Sequence, residues 1–172
     1  MIRLVLAGLA LCAGAEVAPD SVEYYAGTTF TRDAAGKSLE GSGSPMFMKR
    51  TLSPSKNLIR EDVCSGARWS WAEMRRQKKG RFDFDGGGGL TTGSVVFSGS
   101  EWAWDRWTYK LTANKTRPVT GEAFLRDGAM RVNFSYFKPG GKEMRFVIGQ
   151  ELKAVSKEEF EKLSLEACPG GS

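Results

Sequence analysis

Hydrophobic and polar residues alternate most clearly over Ala129–Phe137, where Met130, Val132, Phe134 and Tyr136 take one parity and Arg131, Asn133 and Ser135 the other. An alternation of period two puts one set on each side of a strand, which predicts a strand with one buried and one wet face. Asp127-Gly128 before it and Lys138-Pro139-Gly140-Gly141 after it are turn sequences. The next segment, Met144–Leu152, repeats the pattern with Met144, Phe146, Ile148 and Leu152 in one phase. Upstream, Val119, Gly121, Ala123 and Leu125 share a phase, as do Trp107, Tyr109 and Leu111. Four successive strands joined by short turns predict a meander.

The front half is less regular. Strands are predicted near Val22–Thr31, Pro45–Leu52, Leu58–Cys64 and Ser94–Phe97, and Trp69–Arg76 forms a hairpin with Arg81–Asp85. A flexible break is expected at the glycines 86–89. The phase changes between Trp104 and Trp107, which predicts a β-bulge at Asp105-Arg106. One helix is expected over Ser156–Ala167: Ser156 and Glu159 have capping-box spacing, and Phe160, Leu163 and Ala167 lie along one face. Strands and helices do not alternate, so a parallel sheet is not expected. The fold class is mainly β, an up-and-down antiparallel β-barrel of about eight to ten strands with one C-terminal helix; a β-sandwich is the alternative.

The ends change where this domain is expected to work. Arg3, the apolar run Leu4–Cys12 and the small residues Ala13-Gly14-Ala15 have the order of a cleavable signal peptide over residues 1–15. The apolar run is far shorter than the roughly 20 residues that span a bilayer. Leu11 before Cys12 disfavours a lipoprotein anchor there. The expected product is a single domain, residues 16–172, secreted or periplasmic and monomeric. Its formal charge falls from +5 to +4 with the loss of Arg3, too weak to argue for nucleic acid.

Of three cysteines, Cys64 and Cys168 remain after cleavage. In an oxidising compartment a disulfide is the simplest reading, and it would pin the helix to the wall. Two separate buried thiols are the other reading. The chain has no histidine, which removes the serine-histidine-acid triad, histidine-ligated zinc and histidine-ligated haem. No catalytic motif, metal set or cofactor site is expected, and the protein is read as non-enzymatic.

Three features are candidates for binding. The pairs Trp69/Trp71 and Trp102/Trp104 would each form an aromatic ledge on a strand face, for a sugar or simply as core. Arg75, Arg76, Lys78, Lys79 and Arg81 crowd one hairpin, suited either to weak contact with anionic surfaces or to guarding a sheet edge. The inward faces of the meander supply lining candidates for a small apolar molecule: Trp107, Tyr109, Met130 and Phe134, with Tyr136, Met144 and Phe146. The same residues would equally make a core.

The signal peptide, the meander, the C-terminal helix and the Cys64–Cys168 link together resemble the lipocalin and wider calycin barrels. That resemblance implies an exported barrel that holds a small apolar molecule, and it transfers no site residue. Haem-binding barrels of similar shape use a histidine that this chain lacks. The lead expectation is therefore a binding protein whose barrel interior, more than its tryptophan ledges, takes the ligand. A carbohydrate-binding sandwich and an envelope protein using the basic hairpin are the alternatives.

Overall fold

The computed structural model describes residues 18–39 and 42–169; the expected leader and Cys12 lie outside them. Among the described residues ten antiparallel strands run in chain order: β1 Ser21–Asp33, β2 Ser44–Ser53, β3 Leu58–Ser65, β4 Arg68–Lys78, β5 Arg81–Gly86, β6 Thr91–Ser100, β7 Ala103–Ala113, β8 Arg117–Arg126, β9 Ala129–Phe137 and β10 Met144–Ala154. Each strand pairs with the next. The last pairs with the first, Tyr25 opposite Ala154 and Asp33 opposite Phe146, so the sheet closes into a barrel with no free edge. This is the up-and-down barrel of the sequence expectation, and its architecture fits that of lipocalin-like proteins. The sandwich is set aside.

The turns follow from their residues. Asp127 and Gly128 link β8 to β9 with φ of 52° and 72°, the left-handed pair that a two-residue hairpin requires and that Asp-Gly adopts readily. The expected bulge is present: Ser98 pairs with Arg106 and Gly99 with Trp104, leaving Asp105 as the extra residue on β7. A second irregularity corrects the phase predicted for β10. Phe146 lies opposite Tyr136 but Met144 lies opposite Phe137. Since neighbouring positions on β9 point to opposite faces, Met144 does not share the inward face with Phe146 and Ile148.

The interior holds the main core, with Trp107, Phe82, Met46, Ile59, Met74 and Met130 among its fully buried side chains. A second, smaller core lies outside the wall. Helix α1, Lys157–Ala167, starts at Ser156, whose side chain accepts a hydrogen bond from the Glu159 amide at 3.2 Å. It turns back along the barrel and buries Phe160 against Tyr24, Phe47 and Trp69, with ring centroids 5.1, 6.3 and 6.5 Å away. Cys168 then reaches Cys64 on β3, and the two form a disulfide.

Candidate functional site

The two ends of the barrel interior differ. At the end where β6 turns into β7, Trp102, Trp104 and Phe97 crowd around Phe82, with centroid separations of 5.8, 5.4 and 5.1 Å, mostly edge to face. Leu52, Ile59 and Met74 are buried beside them in the same core. The second tryptophan pair is therefore not a ledge. Trp102 sits in the turn before β7 with φ of 63°, and Trp104 points into the core at 6% exposure. Toward the opposite end, inward-facing Val63, Phe84, Phe134 and Tyr136 are only partly buried. Gln150, opposite the buried Val132 and six residues into β10, also keeps partial exposure, as do Ile148 and Phe146. Several inward faces at this end thus keep partial exposure, while Met46, Leu111 and Val119 beside them are buried. Of the seven lining candidates, Trp107, Tyr109 and Met130 are fully buried, Phe134, Tyr136 and Phe146 border the open half, and Met144 lies on the other face.

Between the two halves lies a charged row absent from the sequence-based candidates. Glu23, Arg50 and Glu61 are direct cross-strand neighbours on β1, β2 and β3. Arg50 is 2% exposed. Its guanidinium lies 4.5 Å from the ring centre of Trp107, Nε is 3.4 Å from Glu61 Oε1, and Nη1 is 3.8 Å from Glu23 Oε2. Nε and Nη2 have no hydrogen-bond partner among the described residues. Tyr25 Oη donates to Glu23 at 3.0 Å, and Trp107 Nε1 donates to Tyr109 Oη at 2.5 Å. Burial pushes the phenols of Tyr25 and Tyr109 well above the ordinary range, so both stay protonated.

Burial also raises the Glu61 carboxyl, which Arg50 partly offsets. The folded state then holds this proton more tightly than the unfolded chain does. Its contribution to stability is present below the ordinary value of 4.5 and is lost as pH rises through the higher folded value. We expect Glu61→Gln to flatten that decline, measured as unfolding free energy between about pH 4 and 8. An unchanged pH profile would count against a raised Glu61.

Outside the wall, between α1 and β1–β4, lies a cleft of about 860 Å³. Trp69 and Trp71 both line it, so the first tryptophan pair does share an outward face, as strand periodicity requires. Trp69 is fixed in place by its ring contact with Phe160 and an indole hydrogen bond to the Cys168 carbonyl at 3.4 Å.

The basic hairpin is partly neutralised. Arg75 pairs with Glu73 at 2.7 Å, and Arg76 pairs with Glu101 and hydrogen-bonds Asn57. Lys78, Lys79 and Arg81 at the tip have no ion partner among the described residues. Asp83 accepts from Gln77, and Asp85 accepts from the Gly89 amide at 2.6 Å, closing the glycine loop. No group of metal-ligating side chains occurs among the described residues. Compared with protein-family models, with curated proteins and with solved structures, the chain has no match in any of the three.

Proposed function

We propose that the protein is an exported, non-enzymatic binding protein that holds one small amphipathic molecule inside the open half of the barrel, in the manner of lipocalin-like carriers. The observation that carries this reading is a cluster of inward side chains at one end, Phe134, Tyr136, Phe146, Ile148 and Gln150, that keep partial exposure, while interlocked rings fill the other end. Phe134, Tyr136, Phe146 and Ile148 offer the apolar body of a ligand a wall. Gln150, partly exposed on the same inward face, offers its polar end hydrogen bonds. A barrel of this size has room for one small ligand when side chains leave part of it unfilled.

Two substitutions test the reading together with uptake of a neutral apolar fluorescent probe such as N-phenyl-1-naphthylamine. Gln150→Trp adds bulk in the open half; it should lower stability by less than about 1.5 kcal/mol yet abolish uptake. Ala123→Trp adds bulk where Ala123 is 0% exposed between Trp107 and Val132, and overpacking there should cost about 1–3 kcal/mol or more. A parent protein that takes up no probe, or a Gln150→Trp variant that binds it normally, would overturn the proposal. Native mass spectrometry of the purified protein would identify a co-purifying ligand.

A further inference from the structure

The floor of the outer cleft is one cross-strand row. Tyr24 on β1 lies opposite Lys49 on β2, Lys49 opposite Asp62 on β3, and Asp62 opposite Trp71 on β4. Aromatic rings therefore stand at the two ends of the row and charges between them. Asp62, the neighbour of Lys49, makes its ion pair with Arg60, through Oδ1 at 2.9 Å, and Arg60 also reaches Glu73 at 3.4 Å. On the opposing wall Lys157 pairs with Glu161, four residues along α1, at 3.6 Å. Among the described residues lining the cleft, Lys49 is the one charged group without an ion partner. It is half-buried and stands directly opposite Asp62 without forming an ion pair with it.

An uncompensated cation set among aromatic surfaces selects a ligand class. Trp71, which carries the Arg60 guanidinium 5.5 Å over its ring, and the partly exposed rings of Tyr24 and Trp69 beside Phe160 give the cleft an aromatic lining that suits the C–H face of a pyranose. The carboxylates of Asp62 and Glu161, already bridged to cations, suit its hydroxyls. The ammonium calls for an anion, and the volume is that of a small-ligand site.

We propose that this cleft is a second binding site, distinct from the barrel interior, that takes an acidic sugar, with the sugar carboxylate on Lys49 and a ring stacked on the tryptophan face. A neutral sugar meets the aromatic faces alone and leaves Lys49 unpaired. α1 forms one wall of the site, and the disulfide holds that wall at a fixed separation from β3 and β4. The site is thus preorganised by the same link that secures the helix.

The test uses the purified protein, a glucuronic-acid-containing disaccharide and its neutral glucose counterpart, followed by tryptophan fluorescence and by saturation-transfer NMR. The acidic disaccharide should bind at least about tenfold more tightly than the neutral one, a preference that shrinks with added salt. Lys49→Met should reduce the acidic sugar to the neutral level while leaving the neutral sugar unchanged. Trp71→Ala should weaken both. N-phenyl-1-naphthylamine bound in the barrel should not be displaced by either sugar. Equal affinity for the two sugars, failure of both to bind, or full acidic-sugar binding by a folded Lys49→Met variant would overturn the assignment. Displacement of the barrel probe by the sugars would also overturn it, by showing a single shared site.

Discussion

Replacing Arg50 with alanine is expected to destabilise the fold by about 3–5 kcal/mol, as is usual when one partner is removed from a buried ion pair. The reason lies in what remains. Glu61 is 8% exposed inside the barrel, and without the guanidinium its carboxylate has neither water nor a cation. Glu23 keeps about a third of its side chain in solvent and suffers less. The ring of Trp107 also loses the group stacked on it, leaving a void next to the largest side chain of the core. Chemical denaturation gives the size of the effect. The double variant Arg50→Met with Glu61→Gln separates the causes: if charge isolation dominates, it should recover more than half of the loss. A cost for Arg50→Ala below about 1 kcal/mol would mean that the guanidinium is no better than neutral where it stands.

The second large effect is expected from the disulfide. Replacing Cys64 and Cys168 together with serine opens a link between residues 104 apart, for which the chain-entropy model gives about 4–5 kcal/mol. The loss should be uneven. α1 has eleven residues, too few to be stable alone in water, and its buried anchors are Phe160, Ser164 and the bond itself. Amide hydrogen exchange should therefore rise first in Lys157–Ala167, ahead of the barrel strands. Uniform acceleration across helix and barrel would show that the helix is no separate unit. Retention of full stability after the double replacement would show that Phe160 and its neighbours suffice.

Much of this architecture was legible along the chain, because alternation with turn punctuation is a local signal. Ala129–Phe137 emerged as a strand with the boundaries it has in the fold, and the phase change before Trp107 marked a true bulge. Other features depend on contacts between distant segments. Whether Trp69 and Trp71 face in or out is set by register with β3, and whether they are covered is set by a helix nearly ninety residues later. Trp102 and Trp104 look the same in sequence, yet a left-handed turn residue puts that pair on the core side. The charged row did leave a signal. Arg50 stands in phase with Met46, Met48 and Leu52, and Glu61 with Ile59 and Val63, each a charge in an apolar alternation. One such residue reads as an error in phase; two on neighbouring strands point to a buried pair, which only their pairing reveals. The Met144 phase failed because the irregularity before Phe146 has no residue signature.

The closure of β10 onto β1 has a consequence for how the molecule comes into being. Every other strand pairing joins neighbours in sequence and can form as soon as a hairpin exists, at small loop-closure cost. The seam from Tyr25–Ala154 to Asp33–Phe146 joins the first strand to the last, so it waits until nearly the whole chain has been made. Until then the nascent protein is an open, curling ribbon with two unpaired borders. α1 lies just past that seam, packed over β1 and β2, and Cys168 follows it. The disulfide and the seam thus both join the front strands of this fold to the C-terminal part of the chain.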